Sequence, residues 1–192
     1  AADNVEPVQR EGGINPATAE FLQGLRKLCD ERGALLVFDQ VQCGMGRTGD
    51  LFSHQFSGVE PDIITLAKSL GGGWTIGATL VIVRGAAAMK PCDHGSTFAG
   101  VPVVTKVAQV IVNRISQPNF LAHVSETGEY LRAQLRKIES SHIVEVRGRG
   151  LMCAMELDTA AGPIIEAGYK HGLLLVNAGP NVVRFVPPLI IE

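Results

Sequence analysis

Two residues of this sequence stand where an α/β protein does chemistry. Asp39 closes the apolar run Ala34-Leu35-Leu36-Val37-Phe38, and Lys68 follows the run Ile63-Ile64-Thr65-Leu66, with three glycines (71–73) just beyond it. Short runs that are apolar without alternation read as strands buried on both faces. In an open α/β sheet ligands lie outside the carboxyl ends of the strands, so both side chains would reach one rim. A lysine amine at that place can hold a carbonyl compound as a Schiff base, and a carboxylate can keep a heterocyclic nitrogen protonated. Pyridoxal phosphate asks for that combination: the protonated ring is an electron sink, and the lysine, once released, can shuttle a proton. Each residue alone has a plainer reading. An acid at a strand end is ordinarily a cap or a surface charge, and a lysine before glycines is ordinarily solvated.

The elements that must position this pair can be read from periodicity. Phe21, Leu22, Leu25 and Leu28 fall at helical spacing, which predicts an amphipathic helix over 18–32. Thr18 supplies its start and Gly33 its stop. Strands are expected at 34–38, 61–66 and 78–83, and helices at 101–115 and 120–138. Strands separated by helices or long crossovers imply α/β construction with a largely parallel sheet. The pattern changes near Ser140. Strands are expected at 143–149 and 151–157, a helix at 163–171, and strands at 173–176 and 182–186. The expected organisation is therefore residues 1–140 as part of a large domain with its connecting helix, and 141–192 as an incomplete, smaller α+β domain.

Composition bounds the class of function. The 192 residues are 46% hydrophobic and 19% charged, with a formal net charge of −2. Such a balance argues against nucleic acid or an anionic membrane as a partner recognised by bulk charge. No apolar run is long enough to span a bilayer. Cys29, Cys43, Cys92 and Cys153 form no C-x-x-C pair, and the five histidines show no metal-ligand spacing, so no metal is expected. Reduced cysteines fit a cytoplasmic protein. Gly44-Met45-Gly46-Arg47-Thr48-Gly49 fits the dinucleotide pattern G-x-G-x-x-G, but residues 40–43 separate it from its strand, and 50–54 do not open a helix. The first residue is Ala1, and the last four, Leu189-Ile190-Ile191-Glu192, are mostly apolar. The expectation is a piece of a longer enzyme.

Several motifs in order resemble the class III (ω-amino) aminotransferases of fold type I, within them the acetylornithine group. They are Glu6-Pro7-Val8-Gln9, Val37-Phe38-Asp39, Gln42-Cys43-Gly44-Met45-Gly46-Arg47-Thr48-Gly49 and Ala67-Lys68-Ser69-Leu70-Gly71-Gly72-Gly73. His94-Gly95-Ser96-Thr97-Phe98, Arg147-Gly148-Arg149-Gly150-Leu151 and Val183-Arg184-Phe185-Val186-Pro187-Pro188 follow. The resemblance implies that Lys68 carries pyridoxal phosphate, Asp39 meets its ring nitrogen, Val41 packs on the ring and Gln42 bonds near the ring hydroxyl. It implies that Thr97 serves the phosphate across a homodimer interface, with Ser96 beside the substrate. Arg184 would grip a substrate carboxylate through its planar fork, and Glu11 would neutralise Arg184 when no carboxylate is bound. The implied reaction moves the terminal amino group of N2-acetylornithine, an acylated diamine, to 2-oxoglutarate, giving glutamate. Other ω-amino donors (succinylornithine, succinyldiaminopimelate, ornithine, 4-aminobutyrate) remain alternatives, as does an inactive piece that only folds or dimerises.

Three positions depart from the resembled pattern. Gln40 stands where glutamate is usual, which would remove a charge beside the cofactor. Ala99-Gly100-Val101-Pro102 replaces Gly-Gly-Asn-Pro. Arg10 replaces a glycine, which would strain the chain if that turn needs positive φ.

Overall fold

The computed structural model describes residues 1–82, 86, 89–90, 93–97 and 99–192. Two four-stranded sheets organise them. The first runs in the order β1 (Ala2–Val5), β2 (Leu35–Asp39), β3 (Ile63–Leu66) and β4 (Ala78–Val81). β1, β2 and β3 are parallel, and β4 runs antiparallel to β3. The sheet is mostly parallel, as the periodicity predicts, with one reversed edge. Of the strand expected at 78–83, residues 78–81 are strand and Val83 lies outside the described residues.

α1 (Ala19–Arg32) crosses between β1 and β2 and is closed at both ends by its own sequence. The Thr18 hydroxyl accepts from the Phe21 amide at 3.1 Å. Gly33 takes the left-handed conformation, φ 63°, and its amide reaches back to the last turn. Such a cap contributes about 1 kcal/mol. Leu22 and Cys29 face inward against Leu36, Phe38 and Val59, and each large side chain buried there contributes about 2 kcal/mol. Asp62 ties the layer together: its Oδ2 accepts from the Leu36 amide at 2.8 Å and from Arg26 at 2.9 Å. Those bonds fix the N-terminal end of β2 against the entry to β3.

α2 (Pro102–Ile115) and α3 (Pro118–Leu135) each begin on a proline, where no intrahelical amide is lost. α3 starts two residues earlier and stops three earlier than its periodicity predicts. It packs on the second sheet, whose order is β5 (Ile143–Arg149), β6 (Met152–Leu157), β8 (Val182–Phe185), β7 (Val176–Asn177), all antiparallel. α4 (Gly162–Lys170) precedes β7. The strand expected at 173–176 instead begins at Val176, because Leu173 and Leu174 are exposed and have no ladder partner.

The two sheets meet at a joint made by residues 44–51. Arg47 donates to the carbonyls of Leu151 (3.1 Å) and Pro187 (2.6 Å), and burial pushes its pKa down to about 10. Met45, Leu66, Val124 and Leu151 share one buried cluster there. Residues 41–48 are successive turns, not the strand-to-helix opening a dinucleotide site needs.

Candidate active site

The parallel pairing of β1 with β2 brings their C-terminal ends to one rim. Val5 is level with Phe38, so Glu6 follows beside Asp39. Asp39 and Thr65 pair across β2 and β3, and Lys68 lies three residues past Thr65, after the end of β3. The expectation that Asp39 and Lys68 share a rim holds. Lys68 opens a short 3-10 helix (Lys68–Gly71) with φ 41°, in the left-handed region. A non-glycine residue costs about 1–2 kcal/mol there, and such outliers gather at functional sites.

Asp39 is half-buried, and its Oδ1 accepts from the Val41 amide at 2.9 Å. Oδ2 has no hydrogen-bond donor among the described residues. The Lys68 amine is less basic than an ordinary lysine: partial burial disfavours its charged form, and the Arg10 and Arg184 guanidiniums add to that. Glu11 and Asp39 oppose the shift. On the neighbouring strand register, burial raises the Glu6 carboxyl, although the Arg10 amide and guanidinium pull it down. Glu6, Gln9, Asn15 and Asp39 line a cavity of about 480 Å³ on this rim.

Residues 8–16 reach from the first sheet to the second. The Gln9 amide donates to the Asn15 carbonyl, Val8 bridges Pro16, and Glu11 stands near the tip. Glu11 Oε1 accepts from Arg184 Nη1 at 2.8 Å, across 173 residues of sequence. Arg184 lies on β8, level with Ala154, and the same nitrogen is 3.3 Å from Gln42 Oε1. Its Nε is buried with no hydrogen-bond partner among the described residues. Val41 and Gln42 are half-buried in the turn after Asp39. Ser96 and Thr97 are not drawn into this rim. Both are exposed, and Ser96 lines a separate cavity of about 530 Å³ with Thr75, Ile76, Val101 and Val104.

Two departures resolve differently from expectation. Arg10 is not among the described residues with positive φ, so the expected strain is absent. Gln40 is buried, with both ends of its amide engaged. Oε1 accepts from the Ser53 amide at 2.6 Å, and Nε2 lies 2.7 Å from His54 Nδ1. An amide nitrogen can only donate, so His54 presents Nδ1 as an acceptor and is neutral; burial lowers its pKa accordingly. A glutamate could offer no such donor without a proton.

Sequence reasoning missed Glu6 as a neighbour of Asp39. β1 is an exposed edge strand, Ala-Asp-Asn-Val, with no apolar run to announce it. The available signals were Val5 and the motif Glu6-Pro7-Val8-Gln9 that follows it.

Fold and side chains together define an α/β protein with a lysine and an aspartate at one rim of a mostly parallel sheet. The chain belongs to the class III aminotransferase family, whose sequence model (aminotransferase class-III) matches residues 1–192. Enzymes of that family use pyridoxal phosphate. A mitochondrial acetylornithine aminotransferase of Alnus glutinosa is 54% identical over 194 positions, covering 100% of this chain and 43% of that protein. A succinylornithine transaminase of Yersinia pseudotuberculosis is 46% identical, covering 98% and 47%. Among solved structures, N-acetylornithine aminotransferase from Stenotrophomonas maltophilia superposes with a TM-score of 0.91 at 43% identity, covering 100% of this chain and 52% of that one. An ornithine aminotransferase of Toxoplasma gondii, described with partial pyridoxal phosphate occupancy at its active site, gives 0.94 at 34% identity, covering 100% and 47%. The chain spans about half the length of the curated relatives it matches.

Proposed function

We propose that this chain carries the lysine-bearing part of a pyridoxal phosphate-dependent aminotransferase that moves the terminal amino group of N2-acetylornithine to 2-oxoglutarate. The observation that carries the reading is the meeting of Lys68, Asp39 and the Arg184–Glu11 pair around one rim. The residues suit the cofactor. Asp39 offers a carboxylate oxygen with no donor among the described residues, and Lys68 offers an amine of lowered basicity. When bound, the cofactor would supply an electron sink next to the substrate's reacting carbon.

The chain's own residues would do the rest. Asp39 Oδ2 would hold a proton on the ring nitrogen, and Val41 and Gln42 would flank the ring. Lys68 Nζ would anchor the cofactor and, when free, take and return the proton at the substrate carbon. Arg184 has a buried Nε with no partner among the described residues and an exposed Glu11 as its acid, so a substrate carboxylate can displace Glu11 without stranding a buried charge. Thr97 would serve the cofactor phosphate of a partner copy, with Ser96 near the substrate. The exposed Trp74, which lines an apolar hollow with Thr75, Val101 and Val104, supports a homodimer. Residues 1–140 and 141–192 would act as the large and small domains. A cytoplasmic setting belongs to the same reading.

A succinylated donor is the second reading, since relatives named for acetylornithine and for succinylornithine match at 47% and 46% identity. Turnover of acetylornithine, succinylornithine, ornithine and 4-aminobutyrate by the protein containing this chain, with 2-oxoglutarate as acceptor, tests both. Acetylornithine is expected to give the highest kcat/KM, and Lys68→Ala is expected to reduce turnover to background. Equal rates with unacylated ornithine would overturn the acylated-donor assignment.

A further inference from the structure

Arg147 is a second arginine that reaches the hairpin carrying Glu11 (residues 8–16), and the aminotransferase reading leaves it without a task. Strand register explains the reach. Arg147 on β5 is level with Ala154 on β6, and Ala154 is level with Arg184 on β8. Directly opposed residues of an antiparallel ladder share a face, so the two arginines flank the small Ala154 with backbones about 10 Å apart. The hairpin lies across that row: Ile14 is buried in one cluster with Ala154, Met152 and Val182. Among the described residues, two side chains of the second sheet hydrogen-bond to residues 9–13. Arg184 Nη1 donates to Glu11 at 2.8 Å, and Arg147 Nε donates to the Gly13 carbonyl at 2.9 Å. Arg147 is itself steadied from behind, because its Nη1 pairs with Glu145 and Glu156.

The hairpin needs such a hold. Ile14 has φ 57°, a left-handed backbone that a β-branched residue rarely adopts and that persists only where its surroundings impose it. Gly13 has φ 107°, and a β-carbon there would lie 3.0 Å from Arg147 Nη2. Towards the tip, packing gives out: Glu11 and Gly12 are exposed, and a cavity of about 380 Å³ opens beside them. We propose that Arg147 is a positioning residue for Glu11: its bond to the Gly13 carbonyl seats the hairpin so that Glu11 stays on Arg184 until a carboxylate takes its place. Without that bond Glu11 spends less time on Arg184 and competes less with an incoming carboxylate. The inference rests on the reading of Arg184 as a carboxylate site and adds the residue that sets how firmly the site is closed.

Arg147→Lys isolates the bond. Lysine carries a methylene where arginine carries Nε, so the variant keeps a cation against Glu145 and Glu156 and loses the donor to Gly13. In the protein containing this chain, Arg147→Lys is expected to lower the KM for 2-oxoglutarate about threefold, within the range of one partly exposed ion pair, without lowering the KM for the amine donor. Hydrogen exchange read by mass spectrometry should quicken in residues 9–15 and stay unchanged in α1. A damaged fold would instead weaken both substrates and quicken exchange in both segments. Glu11→Gln should lower the same KM, and adding Arg147→Lys to it should give no further fall. Arg184→Gln checks the underlying reading, and is expected to raise the KM for 2-oxoglutarate. Given that rise, unchanged exchange at 9–15, an unchanged or higher KM in Arg147→Lys, or a further fall in the double variant would overturn the proposal. If Arg184→Gln leaves the KM unchanged, the carboxylate reading of Arg184 fails, and exchange at 9–15 alone decides whether Arg147 holds the hairpin.

Discussion

At the scale of single residues, Lys68 is governed first by its partial burial and then by its charged neighbours. It is exposed, yet its amine is less basic than usual because partial burial acts together with two guanidiniums. A positive neighbour disfavours the ammonium form, so removing one lets Lys68 keep its proton to higher pH. Arg10→Gln should therefore shift the pH profile of Lys68 acylation upward, as read by mass spectrometry after brief treatment with an amine-reactive reagent. A profile that stays put or moves down would show that Arg10 does not reach the amine. The left-handed backbone at Lys68 belongs to the same picture. That conformation, φ 41°, aims the residue out of the strand at a local energetic cost offset by the packed Leu66 and Leu70 on either side.

At the scale of elements, what matters is how closely helix and sheet approach. Gly128 lies mid-way along α3, and a β-carbon there would run into the Gly150 carbonyl of the β5–β6 turn. Gly150 has φ 53°, and its own β-carbon position lies 2.5 Å from the Thr48 carbonyl carbon. Helix, turn and the 44–51 joint are thus stacked backbone to backbone. Replacing glycine by alanine in an open helix stabilises by about 1 kcal/mol. Gly128→Ala should do the reverse, destabilising by about 2–3 kcal/mol through overpacking. Urea denaturation reads the sign directly, and a gain in stability would mean that α3 can lift from the turn freely. Beside this contact, Arg132 donates to the Gly150 carbonyl at 2.8 Å and fixes the same turn from the helix side.

At the scale of the whole molecule, the joint between the sheets buries groups whose charge states depend on the fold. The Cys43 thiol is pushed up to about 11 from the ordinary 9.0, chiefly by burial. Burial also raises Cys29 and Cys153. A thiol that stays protonated when folded but ionises when unfolded stabilises the fold fully below pH 9.0 and loses that contribution as pH rises to about 11. For Cys43 the loss across that window is about 2–3 kcal/mol. Urea midpoints measured from about pH 8 to about pH 11 should fall more steeply for the unaltered chain than for Cys43→Ala. Parallel slopes would place the alkaline sensitivity elsewhere.

How far the sequence reached depends on whether the signal was local. α1 was legible because Thr18, the apolar stripe and Gly33 act within one helix. β2, β3 and the shared rim of Asp39 and Lys68 were legible because parallel strands of an α/β sheet read as unbroken apolar runs. The roles assigned to Glu11 and Arg184 came through ordered family motifs, since no spacing rule links residues 173 apart. Tertiary structure decided the remainder. β1 is strand because β2 offers it a ladder, not because its residues favour one, and that pairing alone sets Glu6 and hence Arg10 beside Asp39. The reversal of β4, the retreat of β7 to two residues and the burial of Gln40 against His54 likewise depend on which surfaces meet. Sequence determined which residues could do chemistry. Packing determined which of them stand together, because strand register and charge neighbourhoods are properties of elements in contact.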